Sequence, residues 1–341
     1  MKYFFYASLV PMALSLTGCA PNYQDFGVME GYEGVDGVIV QETYVHKYGV
    51  AVPQAQWTTA GQHGQVISQL GNGVTATKNY AGGVLDGTAT YTFPNSQLIE
   101  KVETYIQGVL VKDVVNYSSG ATKRESQYLT PTTVTVTSWA ENGSPLSVEN
   151  FEGSLLSKGD YYNSAHQLES SVLDGSGIRL IRDGYGQLEA KDTIQEGKLS
   201  SRLTLHPKGT PNEIIPYKNG VVDGEKRTFL PEGEPNTIEQ WVNGEQQGLT
   251  RLYKNGERWA EIPYVHGVKE GVEVRFGDDG TTVVQEITWV NNQRHGTTKT
   301  YVAKVVTTEW YWRGEKVDRP AFNKNGDPAV QRVTQMQTDK D

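Results

Sequence analysis

A chain of 341 residues has room for two or three ordinary domains. Its formal net charge of -9 excludes broad nucleic-acid binding through a basic face and disfavours general adsorption to anionic headgroups. With 37 Gly, 19 Tyr and 7 Trp against 8 Phe and 4 Met, composition points to short strands joined by tight turns.

The chain opens with "MKYFFYASLVPMALSLTGCAPN". Lys2 precedes an apolar run from Tyr3 to Leu16. That run is too short to span a bilayer and reads as a secretory signal over residues 1–18. Its end, Leu16-Thr17-Gly18-Cys19, resembles the bacterial lipobox. The resemblance implies cleavage between Gly18 and Cys19, diacylation of the Cys19 thiol and acylation of the new amino terminus. The membrane is then a partner through those acyl chains, since two or three give stable anchoring. Ala20 stands where Asp would mark inner-membrane retention, which implies the outer membrane. The alternative is an ordinary signal with an incidental cysteine. Cys19 is the sole cysteine, so no disulfide is available to the mature chain. Residues 19–56 show no clear register and read as a tether followed by a small N-terminal cap around "YVHKYGVAVP".

From residue 57 to 318 the chain repeats. Tetrads ending at a turn read "YKNG", "WVNG", "YVHG", "WVNN" and "YWRG", closing at Gly220, Gly244, Gly267, Asn292 and Gly314 with spacings of 24, 23, 25 and 22. Weaker copies run back to Gly61, with one missing near Pro131 in "YLTP". A second series, including Gly73, Gly120, Gly186 and Gly233, interleaves half a period away, with "PNS" near Asn95 and "YNS" near Asn163 filling two gaps. The chain therefore turns every 11 to 13 residues. Between turns the pattern alternates. "GVEVRF" sets Val272, Val274 and Phe276 on one side, Glu273 and Arg275 on the other, as in a half-buried strand. Asn-Gly favours a two-residue hairpin turn. The expectation is an all-β fold: tandem β-hairpins forming an elongated, twisted antiparallel sheet of about 22 strands, roughly 100 Å long at about 4.8 Å per strand.

A second glycine follows the first by four residues, as in Gly220/Gly224, Gly244/Gly248 and Gly267/Gly271. A chain bend, or close approach to a neighbouring aromatic, explains the recurrence. A phosphate-cradling loop would need a strand-loop-helix context that is missing. The resulting pattern, Y-x-N-G-x-x-x-G-x-x-x-x-Y, resembles the MORN repeat in its bacterial variant, often labelled the YwqK-type antitoxin component. The match is best from Tyr217 to Trp312, and upstream copies are degenerate. The resemblance implies an elongated, curved sheet serving as scaffold or binding surface, without common catalytic residues. Residues 319–341 are polar and read as a flexible tail.

Chemistry leaves few traces. The six histidines form no ligand-spaced pair, and no cofactor is expected. His266 and His295 read as solvated turn residues, and His46 as part of the cap. G-x-S-x-G and H-E-x-x-H are absent, and the lipobox claims the one cysteine. What remains is a ladder of Tyr217, Trp241, Tyr264, Trp289 and Tyr311, each three residues before its register position. Stacking between neighbouring strands is the structural reading. A row of rings for a glycan or extended peptide is the functional one. The expectation is a non-enzymatic, lipid-anchored envelope protein that binds protein partners. A carbohydrate- or peptidoglycan-binding module, and an envelope enzyme with an unrecognised site, are the alternatives.

Overall fold

The computed structural model describes residues 38–325. The signal, Gly18, Cys19 and the first part of the tether lie outside the described residues, as does the chain beyond 325. The described residues form one antiparallel sheet of 28 strands and two short helices. Apart from the two-residue strands, each strand pairs with the next in sequence, so the sheet is a meander of tandem hairpins. Two additions raise the strand number above the expected 22. Ile39–His46 and Ala51–Val52 extend the sheet at its N-terminal end, and Glu315–Val317 at the other. Bulges also cut two-residue pieces, Val221–Val222, Glu245–Gln246 and Val268–Lys269, from three return strands.

The two turn series make two different turns on opposite edges of the sheet. At Asn219–Gly220 both central residues are left-handed, with φ of 52° and 80°, as a type I′ turn requires. Asn243–Gly244, His266–Gly267 and Arg313–Gly314 repeat it. At the missing copy, neither Pro131 nor Thr132 has a positive φ, so glycine is not needed. There the Thr130 hydroxyl accepts from the Thr133 N–H at 3.0 Å. On the other edge the Tyr117 carbonyl accepts from Gly120 N–H at 2.9 Å, and Tyr117 N–H donates to Ala121 at 2.8 Å. In the copy at Asn163, His166 takes the left-handed place with φ of 60°. Successive turns on the first edge are tied together: Gly108 N–H donates to the Leu85 carbonyl at 2.7 Å, and Gly244 N–H to Val222 at 2.8 Å.

Cross-strand partners share a face. The row Val66, Lys78, Ala89, Glu103, Asp113, Ser126, Val136 and Glu149 can be followed from strand to strand without a break. Most fully buried residues lie on this face, which is the inner wall of a curled sheet. Curling is tightest around residues 134–199. Leu168–Leu173 and Ser176–Arg182 pair at only two positions, and Leu156 N–H reaches past the intervening turn to the Gly197 carbonyl at 3.0 Å. There Val134, Val136, Phe151, Leu156, Tyr161, Val172 and Ile194 form the hydrophobic cluster.

Elsewhere buried polar residues alternate on the inner face with buried apolar ones such as Ile262 and Ile287, and the expected sidedness of "GVEVRF" is reversed. Glu273 is 1% exposed, whereas Val272 and Val274 are half-buried on the outer side. Phe276 is buried because the register shifts between it and Arg275.

Both ends are closed by aromatic clusters. The helix Gln54–Thr59 places Trp57 against Tyr44 and Tyr80, at 5.8 and 6.4 Å, so the cap runs past the expected boundary at 56. At the other end the expected flexible tail begins as a helix, Arg319–Asn325. Its Phe322 ring packs 5.0 Å from Trp310 and 5.9 Å from Trp312, which supplies the apolar burial that holds this polar segment down.

Candidate functional site

The five ladder rings share the inner face, and each is half-buried. Four stand opposite the second glycine of the preceding hairpin: Trp241 faces Gly224, Tyr264 faces Gly248, Trp289 faces Gly271 and Tyr311 faces Gly296. The second glycine is thus both a bend and the cross-strand partner of a ring. Its backbone is left-handed, with φ of 117° at Gly271, and a Cβ there would lie 3.0 Å from Pro263 Cγ.

The polar atoms of the rings are taken by carboxylates. Trp241 Nε1 donates to Glu239 at 2.8 Å, Trp289 Nε1 to Glu273 at 2.9 Å, and the Tyr311 hydroxyl to Glu309 at 3.1 Å. Cations then flank the rings: Lys269 Nζ is 4.7 Å from the Trp289 centroid, and the Arg294 guanidinium 5.3 Å from that of Tyr311. Burial, with the Glu239 and Glu273 charges nearby, raises the Tyr264 hydroxyl above its ordinary value. Stacking of ladder rings on one another does not join the rows. Among the described residues, ring–ring contacts gather at the two ends.

The same pattern continues toward the N-terminus. Tyr91 and Tyr105 both donate to Glu103, at 3.0 and 2.9 Å, and Lys101 Nζ lies 2.7 Å from that carboxylate. Burial alone would raise Glu103. The Lys101 ammonium and the two hydroxyls outweigh it and hold the carboxyl below its usual range.

At the tightest curl the row becomes an ion network. Arg179 Nε donates to Glu149 at 2.7 Å, and its Nη1 reaches Asp192 at 3.4 Å. Arg202 clamps Asp192 with two bonds of 2.7 and 2.8 Å, and the Tyr161 hydroxyl donates to Glu149 at 2.9 Å. Asp192 is 0% exposed. Burial opposes the charge on Arg179, but Glu149 more than compensates and raises it. The network shares the inner face with the buried apolar cluster, and only strand register brings its members together. One signal was legible: Glu-x-aromatic recurs at Glu103/Tyr105, Glu239/Trp241 and Glu309/Tyr311.

The histidines stay dispersed. His266 is exposed at its turn beside Glu245, 3.0 Å away. His295 differs from the expected solvated residue: it is 4% exposed, 4.5 Å from the Trp312 ring, inside the C-terminal cap. His46 packs on Tyr48 at 5.0 Å. Among the described residues no group of three or more His, Cys, Asp or Glu is arranged to hold a metal. Chemically, the inner row is a chain of closed hydrogen bonds and ion pairs in which rings retain partly open faces.

No protein-family model matches the sequence, and no curated protein matches it. Among solved structures, a porin-like protein from Bacteroides uniformis is 11% identical, covering 72% of this chain and 88% of that one, with a TM-score of 0.15. BamB from Moraxella catarrhalis is 13% identical, covering 74% and 82%, with a TM-score of 0.13. At such scores these likenesses carry no argument about this chain.

Proposed function

We propose that this protein is a lipid-anchored component of the cell envelope, at the outer membrane, whose MORN-like hairpin array is a non-enzymatic scaffold or binding surface for protein partners. The observation that carries the reading is the single open sheet of 28 strands. Its outer face, including Thr135, Thr137 and Lys158, is not covered by a second layer among the described residues. The tetrad Leu16 to Cys19 supports the anchor.

Two experiments test it. Cys19→Ala should abolish metabolic labelling with palmitate and move the protein out of the membrane fraction; persistent labelling overturns the anchor. Photo-crosslinkers at Thr135 or Thr137 should capture a discrete partner in the native envelope, and a crosslinker beside Glu149 should not. Equal capture from both faces, or none, overturns the outer-surface reading.

A glycan- or peptidoglycan-binding role is the second reading, favoured by the half-exposed ring faces of the ladder. The commitment of ring nitrogens and hydroxyls to carboxylates weighs against it. Cosedimentation with purified peptidoglycan, lost in a Trp241→Ala/Trp289→Ala variant, would reverse this preference.

A further inference from the structure

Five Asn-Gly pairs lie wholly within the described residues, at Asn72, Asn142, Asn219, Asn243 and Asn255, and all five asparagines are exposed. Asparagine is a labile residue, and glycine after it leaves the approach to its side chain open, because no Cβ stands in the way. The nucleophile in that reaction is the glycine amide nitrogen, and the electrophile is the asparagine carboxamide. A hydrogen bond held by either group opposes the step. The structure divides the five pairs on this point. Gly73 N–H donates to the Leu70 carbonyl and Gly143 N–H to that of Ala140, both at 2.9 Å. Asn72 Oδ1 and Asn142 Oδ1 also accept, from Val74 N–H at 3.1 Å and Ser144 N–H at 2.9 Å. Gly244 N–H is tied to the Val222 carbonyl at 2.8 Å, and the Asp223 carboxylate holds Asn243 N–H at 3.0 Å. Among the described residues, Gly220 N–H and Gly256 N–H have no hydrogen bond, and neither do the carboxamides of Asn219 and Asn255.

We propose that Asn219 and Asn255 are sites of spontaneous deamidation, and that the fold protects Asn72, Asn142 and Asn243. The glycine amide nitrogen forms a bond to the asparagine Cγ, the Cγ–Nδ2 bond breaks, and Nδ2 leaves as ammonia with the proton of the glycine N–H. The product is a cyclic succinimide, which water then opens. Cleavage between nitrogen and Cγ gives Asp; cleavage between nitrogen and the backbone carbonyl carbon gives isoaspartate. Asn243 is the internal control. It shares the dipeptide and the type I′ turn, with φ of 50° and 82° against 52° and 80° at Asn219–Gly220 and 54° and 78° at Asn255–Gly256. It differs in the tie to the neighbouring turn. The two products act differently on the array. Asp is accepted at the first central position of such a turn and adds one negative charge to a chain already at -9. Isoaspartate lengthens the backbone inside a two-residue turn, whose closure sets Lys218 opposite Val221 and Lys254 opposite Glu257. The inference concerns turn chemistry alone and stands whether or not the array binds a partner.

The test is a time course of the folded full chain in mildly alkaline buffer, read by peptide mass spectrometry at all five asparagines, beside the same chain unfolded in urea. Lysine precedes Asn219 and Asn255, whereas valine precedes Asn243. Each site is therefore scored as its folded rate over its own rate in urea, which removes the effect of neighbouring sequence. The ratio at Asn219 and Asn255 should exceed that at Asn243 by at least about fivefold, the factor expected where a backbone hydrogen bond must open first. Asn72 and Asn142 should react no faster than Asn243 on the same scale. Isoaspartate should accompany Asp at both reactive sites. An equal ratio at Asn243 overturns the inference. So does a folded chain in which Asn219 and Asn255 stay intact while the urea-unfolded chain reacts, and so does a product free of isoaspartate.

Discussion

Replacing Arg179 by Met tests whether the inner ion network supports the curl. Arg179 is 6% exposed and bridges Glu149 and Asp192 across the inside of the sheet. Met keeps most of the side-chain volume and removes the charge. Asp192 retains both bonds from Arg202, whereas Glu149 is left with the Tyr161 hydroxyl. Stranding one member of a buried pair typically costs about 3–5 kcal/mol. The single remaining bond to Glu149 argues for the lower half of that range, about 3 kcal/mol. Adding Glu149→Gln to Arg179→Met removes the stranded charge and should recover about half of the loss. Urea melts read by circular dichroism give the global figure. Hydrogen exchange at residues 147–151, 177–182 and 190–194 gives the local one, which matters because repeat arrays lose stability locally. A loss under about 1 kcal/mol for Arg179→Met, or a double variant as unstable as the sum of the singles, refutes a structural role for the network.

Further outcomes follow from the same geometry. Gly271→Ala should cost about 1–3 kcal/mol through its left-handed backbone and the Pro263 contact, while Gly267→Asn, at an open turn with φ of 75°, should be near neutral in the same melts. Trp241→Phe should lose about 1–2 kcal/mol with the bond to Glu239, and Trp241→Ala about twice that, which separates the hydrogen bond from ring packing. Glu103 and Glu125 titrate below their ordinary value of 4.5 in the folded chain, so their contribution is present above that pH and is lost as pH falls through the lower folded values. An acid titration of the melting temperature should therefore decline below about pH 4.5 and flatten in a Glu103→Gln variant. Phe322→Ala should release the terminal helix and red-shift emission from Trp310 and Trp312, and an unchanged spectrum would contradict the packed cap.

Turn chemistry made the architecture legible. Asn219–Gly220 and Asn243–Gly244 demand positive φ at adjacent residues, and hairpins spaced by such pairs can only meander. His166 and Arg313 hold left-handed backbone without being Gly or Asn, so residue type alone could not place them. The inner wall was hidden for a different reason. Alternation in "GVEVRF" identifies two faces but says nothing about which is covered. In a single curled layer neither face has an opposing layer to bury against, and curvature decides. The five ladder residues are expected either to stack between strands or to form a row of rings for a ligand; the structure sets them on one face without stacking on one another. Their seats on Gly224, Gly248, Gly271 and Gly296 emerge only when strand register is known, since the glycine precedes its ring by 15 to 18 residues.

A single-layer array faces a problem that a sandwich does not: each strand must be held without a second sheet to pack on. The largest hydrophobic cluster lies at the tightest curl, where Phe151, Leu156 and Tyr161 become fully buried. Along the remainder, inner residues approach their cross-strand neighbours but not the opposite wall, so paired side chains must supply the cohesion. A ring bonded to a carboxylate, with a cation beside it, keeps its polar atoms satisfied whether water is present or not. That explains why Glu239, Glu273 and Glu309 accompany Trp241, Trp289 and Tyr311.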